Sequence, residues 1–145
     1  MKILIATDGS APAAAAVAEV AARAWPEGSE VKVLTVIHTA VPFATDPALV
    51  VTFIALDHLD KARKHAPEVV ERAAAQLARP GLTVTTAILE GSPKQLIVDE
   101  AERWGADLVV LGTHGHGAPG RFVLGSVAHS VVLHAPCSVE VVRKR

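Results

Sequence analysis

Apolar and polar positions along this chain fall into blocks that switch repeatedly between strand-like runs and helical spacing. Residues 2–7 ("KILIAT") form a short, continuous apolar run ending in Asp8-Gly9-Ser10, the pattern of a strand buried on both faces. Ser10 suits a helix N-cap and Pro12 the first turn, where its missing N–H costs little. An Ala-rich helix should follow to about Trp25, stopped by Pro26 and Gly28. Residues 31–37 read as a second strand. Asp46-Pro47 opens a long helical region to about Arg79, with Phe53, Ile54, Val69, Val70, Ala73 and Leu77 at helical spacing. Pro67 interrupts that region and predicts a kink or two helices. Pro80-Gly81 is a turn, and residues 82–89 a third strand. Ser92-Pro93-Lys94-Gln95 has the form of a capping box with proline at the first helical position, starting a helix that ends at Gly105. Residues 107–111 ("DLVVL") make a fourth strand, residues 126–134 a last helix stopped before Pro136, and Cys137 to Val142 a fifth strand.

Strand and helix alternating throughout predict an α/β fold of three layers, one parallel sheet with helices on both faces. The third and fifth strands alternate apolar with polar residues more than "ILIA" or "LVVL" do, so they are expected at the edges. Right-handed crossovers then favour the order 3-2-1-4-5. The chain reverses direction across the sheet between strands one and four, and open α/β sheets bind ligands at such a point, beyond the carboxyl ends of the strands. Asp8 and Gly112 both fall there.

Composition narrows the partners. The 145 residues suit one domain, residues 1–145, with a real core. Lys plus Arg number 14 against 15 Asp plus Glu, so no basic excess points to nucleic acid. One cysteine excludes an internal disulfide and suits a reducing compartment. The opening apolar run is too short for a signal peptide and no run is long enough to span a membrane. A cytoplasmic protein is expected.

The stretch "LGTHGHGAPGRFVLGSVAHSV", Leu111 to Val131, holds five glycines and admits three phosphate-binding parses. Gly115, Gly117 and Gly120 fit G-x-G-x-x-G, but a dinucleotide fingerprint must run straight into a helix, which Pro119 and Gly120 oppose. Gly120 to Gly125 has the spacing of a P-loop, yet Ser126 and Val127 stand where Lys and then Ser or Thr are required. The third parse is Gly112-x-x-Gly115, nine residues, then Gly125-Ser126. Here Gly112 and Gly115 would let backbone approach a ligand and take positive φ, while Gly125-Ser126 would offer helix N–H groups and a hydroxyl to phosphate oxygens. Spacing alone fits a glycine-rich surface loop before a Ser-capped helix equally well.

With its flanks, the motif resembles the universal stress protein family. G-x2-G-x9-G-[S/T] is that family's nucleotide-binding signature, matched by Gly112, Gly115, Gly125 and Ser126. "ILIATDGS" and "LGSVAHSVVLHAPCSVEVV" resemble its first strand and its last helix and strand. The resemblance implies a Rossmann-like sheet of the adenine nucleotide alpha hydrolase-like type, ATP binding and homodimers. Carried over by position, Thr7 and Asp8 would lie by the adenosine or a phosphate-bound Mg²⁺, and Val36 would give backbone contacts to adenine. Gly112, Gly115, His116, Arg121, Gly125, Ser126 and Val127 would surround ribose and phosphates.

Other residues have plainer readings. Asp8 could simply cap the turn before the first helix. His114 and His116 lack a third metal ligand at motif spacing and are expected to line the phosphate region as hydrogen-bond donors. Cys137 reads as a small core residue, and Trp25 and Trp104 as packing. No catalytic lysine, paired carboxylates or Ser/His/Asp set falls in the ligand region, so an ATP-binding regulatory module is expected. The alternative is a slow Mg-dependent ATP hydrolase or phosphotransfer enzyme. The fifth strand, carrying Val139, Val141 and Val142 at a sheet edge, is the expected dimer contact.

Overall fold

The computed structural model describes residues 1–39, 49–116 and 124–143, with only the backbone of 49–53. Five strands and four helices alternate: β1 (Lys2–Ala6), α1 (Ala11–Ala22), β2 (Ser29–His38), α2 (Leu49–Leu77), β3 (Leu82–Gly91), α3 (Pro93–Trp104), β4 (Leu108–Gly112), α4 (Ser126–His134) and β5 (Ser138–Val142). Every strand pair is parallel and the order is β3-β2-β1-β4-β5, as the burial patterns predict. Ile3, Leu4 and Ile5 of the central strand and Val109 and Val110 of its neighbour have no exposed surface. They are apolar on consecutive positions because both faces are covered.

Two cores result, one on each face. Ile3, Ile5, Val31, Val33 and Val110 meet Val17 and Val20 of α1 and Val70, Ala73 and Leu77 of α2. Leu4, Leu34, Val109 and Leu111 meet Ile97 and Ala101 of α3 and Ala128 and Val131 of α4. The pairing of helices follows from right-handed crossovers: β1 to β2 to β3 moves one way across the sheet, β3 to β4 to β5 the other.

Several boundaries differ from the sequence reading. Helix α1 stops at Ala22, not near Trp25, with Arg23 extended. Side chains close it: Trp25 Nε1 donates to the Val20 carbonyl at 2.9 Å and Arg79 donates to those of Ala21 and Arg23 at 2.9 and 2.5 Å. Strand β1 ends at Ala6, one residue early, β2 gains Ser29, Glu30 and His38, β3 gains Glu90 and Gly91, β4 is shifted by one residue at both ends, and β5 begins at Ser138. Helix α2 passes through Pro67 unbroken. The burial of Ala66, Val69, Val70, Ala73 and Leu77 on the sheet offsets the lost hydrogen bond. Ile54 is exposed rather than core, while Phe53 and the Asp46-Pro47 start lie outside the described residues. The capping box at Ser92 does not close: its side chain makes no cap bond, and Gln95 donates to Asp99 instead. Gly105 ends α3 in the left-handed region at φ 70°, as expected.

Candidate functional site

The carboxyl ends of β1, β2 and β4 and the amino ends of α3 and α4 enclose a cavity of about 560 Å³. It has two characters. Leu34, Val36, Pro93, Ile97 and Ala128 give an apolar compartment between β2 and the α3/α4 layer, while Asp8, His114, His116 and Ser126 bring polar groups to the other end. Of the ten residues carried over by position, Thr7, Asp8, Val36, Gly112, Gly115, His116, Gly125, Ser126 and Val127 line it. Arg121 lies outside the described residues.

The first wall is the turn after β1. Thr7 is buried and holds the strand ends together: its N–H donates to the Leu34 carbonyl at 2.9 Å, and its carbonyl accepts from Thr35 Oγ1 at 2.8 Å. Gly9, at φ 78°, turns the chain where a Cβ would lie 3.0 Å from Val69 Cγ2. Ser10 caps α1, its Oγ accepting from the Ala13 N–H at 3.4 Å. Asp8 therefore sits at the mouth of the cavity on a turn fixed from both sides.

The second wall is the glycine loop. Gly112, Gly115 and Gly125 do not take positive φ, contrary to expectation. Each lies in close approach to a neighbour instead. A Cβ on Gly112 would lie 2.6 Å from the Pro12 carbonyl carbon, and one on Gly125 3.0 Å from His114 Cα. A Cβ on Gly115 would run into the Asp8 carboxylate. The loop is tied down by Thr113, whose N–H donates to the Val142 carbonyl at 3.2 Å and whose carbonyl accepts from the Gly125 N–H at 2.7 Å.

Helix α4 then begins with Gly125 as its N-cap, not Ser126. Glycine carries no capping group, and among the described residues no side chain caps the first turn, Ser126 to Ala128. These residues line the cavity, so the positive end of the helix opens onto it. Such an end is suited to an anion.

Among the described lining residues, His114 and His116 add ring nitrogens at this end. His114 Nδ1 lies 3.0 Å from Thr113 Oγ1, and His116 Nε2 3.1 Å from the Asp8 carbonyl. Among the described residues no group of three His, Cys, Asp or Glu side chains could hold a metal ion by itself. His38, at the end of β2, also lines the cavity and was not singled out from sequence. Its signal was the i, i+2, i+4 series Leu34, Val36, His38, which puts all three on one face of the strand. Pro93 and Ile97 were missed as well. The predicted strand order placed α3 beside α4, and so against the same cavity, without any motif in its own sequence.

The family model described as "Universal stress protein family" matches residues 1–143. The chain belongs to the universal stress protein family. A family member from Thermus aquaticus is 36% identical over 143 residues, 97% of either chain. In staphylococcal relatives the matched stretch covers 52% or less of the partner's length. Among solved structures, the universal stress protein UspA of Lactobacillus plantarum superimposes with a TM-score of 0.82 at 30% identity, over 99% of this chain and 97% of that one. The family member of Archaeoglobus fulgidus in complex with dAMP gives 0.65 at 25% identity, over 97% and 96%. No helix of the described residues is long and apolar enough to cross a membrane.

Proposed function

We infer that this universal stress protein is an adenine-nucleotide-binding regulatory module of the cytoplasm, with ATP as ligand. The observation that carries this reading is the start of α4, without a capping side chain among the described residues, facing the cavity beside three closely approached glycines. Phosphates take the α4 end, where N–H groups and the helix dipole are free to meet them. The base takes the apolar compartment between β2 and α3. The dAMP complex of the Archaeoglobus fulgidus relative supports the same class of ligand.

Mg²⁺ fits this arrangement when brought by the nucleotide. It retains water and phosphate oxygens and needs one or two carboxylates; among the described residues Asp8 is the one acid lining the cavity. A bound Mg²⁺ would neutralise phosphate charge there. A lone carboxylate, with no lysine among the described lining residues, supports binding over turnover. Two chains pair through β5 into a homodimer, and nucleotide occupancy alters the surface or the dimer.

Calorimetric titration with ATP, AMP and NAD tests the ligand. ATP and AMP should bind and NAD should bind much more weakly. Steady-state release of phosphate should fall well below about 1 s⁻¹, the lower end of ordinary enzymes. Turnover at or above that rate would replace the module with the hydrolase or phosphotransfer reading.

A further inference from the structure

We propose that Asp8 is a clasp: a positioning residue whose carboxylate holds the glycine loop against the end of β1, so that the phosphate site is preformed before any nucleotide or cation arrives. This deepens the nucleotide-binding reading and rests on it for its consequence, although the clasp itself is a property of the free protein.

The two oxygens of Asp8 are directed to opposite walls of the cavity mouth. Oδ1 accepts from the Ser10 N–H at 3.0 Å, within its own turn. Oδ2 accepts from the His116 N–H at 3.2 Å, across 108 positions of sequence. The imidazole of His116 returns to the same residue, its Nε2 3.1 Å from the Asp8 carbonyl. A carbonyl oxygen only accepts, so that nitrogen carries the proton. The stretch 115–116 is thereby bound to Asp8 through both main chain and side chain.

Gly115 belongs to the same device. Its Cα is so near the carboxylate that any Cβ would collide with Oδ2. The glycine spacing of the motif is thus satisfied here by the seating of a carboxylate, not by a positive φ. Elsewhere the described loop is held by the Thr113 bonds to Val142 and Gly125, both on the β5 and α4 side. Among the described residues, Asp8 supplies its hydrogen bonds to the β1 side. Without the carboxylate that wall keeps the His116 imidazole bond to the Asp8 carbonyl but loses its main-chain tether, and a ligand must order it at the expense of affinity.

This assignment differs from a metal ligand in what it requires. A clasp works in the absence of any cation; a ligand to phosphate-borne Mg²⁺ does not.

The test has two parts. In the nucleotide-free protein, amide hydrogen exchange at His116 is followed by NMR in the parent, Asp8→Asn and Asp8→Ala. Asparagine keeps the shape but offers one accepting oxygen, so it serves if the alanine variant does not fold. Exchange at His116 should accelerate by about tenfold or more in both variants, with amides of β1 and β4 unchanged. Unchanged protection at His116 overturns the clasp, whether or not the protein binds nucleotide. The second part measures AMP and ATP affinity in EDTA and in Mg²⁺. Loss of a hydrogen bond to a charged group predicts about a tenfold weakening in EDTA for both variants. A loss confined to Mg²⁺ solutions overturns the proposal and makes Asp8 a metal ligand. Gly115→Ala completes a double-mutant cycle. It should weaken AMP binding in the parent and much less in the Asp8→Ala background, where the colliding carboxylate is gone; additive effects count against the clasp. If the parent binds neither AMP nor ATP, the nucleotide reading fails and the exchange measurement still decides the clasp.

Discussion

The glycines of the phosphate loop are each defined by a neighbour. Gly125 approaches the backbone of Thr113 and His114, and a branched side chain there would push those residues into the cavity. Gly125→Val should therefore abolish ATP binding, at least about a hundredfold by calorimetry, while circular dichroism and the thermal midpoint stay near those of the parent. Equal affinity in the folded variant would place the nucleotide elsewhere. The spacing of these glycines was legible in the sequence because its flanks match the same family signature. Their cause was not, since Pro12, Asp8 and His114 come near only after folding. Glu100 makes a contrasting case. It is 4% exposed, and Lys32 Nζ and Arg103 Nη2 lie 2.7 and 2.6 Å from its Oε1. Burial alone would raise the pKa of its carboxyl, but hydrogen bonds from Lys32 and Arg103 outweigh that and hold it below the ordinary glutamate value. A folded-state value below the unfolded one stabilises the protein above the unfolded pKa and ceases to do so as pH falls through the folded one. Stability to urea should thus be flat through neutral pH and decline below about pH 4.3, with a shallower decline in Glu100→Gln. At pH 7 that variant should lose less than the 3–5 kcal/mol or so of a fully buried broken pair, because Lys32 keeps some access to water.

At the scale of elements, what the sequence carries is type and order. All nine predicted elements exist, and the last helix begins and ends at the residues read from sequence. Boundaries set by distant side chains were not legible. Helix α1 lacks a C-terminal glycine because Arg79, 58 positions away, bonds the Ala21 carbonyl. Pro67 shows the reverse case, a strong local signal overridden by packing. Its ring removes one intrahelical bond, and the sheet-facing side of α2 continues across it. Pro67→Ala should accordingly stabilise the protein by roughly 1–3 kcal/mol, restoring the missing N–H and a better helix former, measured by urea unfolding. A loss of stability would mean that the proline is needed for the course of α2.

For the whole molecule, the two sheet edges are unequal. The β3 edge carries Thr83, Thr85 and Glu90, and Glu90 is paired with Arg63. The β5 edge carries Val139, Val141 and Val142, and its one acid does not guard it: Arg23 grips both oxygens of Glu140 at 2.8 Å from the α1 side. That hydrogen bonding also lowers the Glu140 pKa below the ordinary value, keeping the pair charged. A sheet-edge strand whose outer N–H and C=O groups have no strand partner among the described residues favours two-fold antiparallel pairing with its own copy. Sedimentation should show a dimer of the 15.1 kDa chain at micromolar concentration. Val141→Lys should shift it toward monomer while its unfolding transition remains cooperative. A parent that stays monomeric, or a lysine variant that dimerises as well, would clear β5 of that role.

The strand order also bears on how the chain is made. β1 is synthesised before the other four strands and lies at the centre, bonded on one side to β2 and on the other to β4, which starts at Leu108. Until β4 has been synthesised, that second side of Ile3, Leu4 and Ile5 lacks the strand it pairs with in the fold. Parallel pairing between strands this far apart in sequence is slow to form and leaves apolar backbone edges open meanwhile. A nascent chain halted before β4 is thus a three-stranded sheet whose most hydrophobic strand has become its edge, the state in which this protein would most need a chaperone.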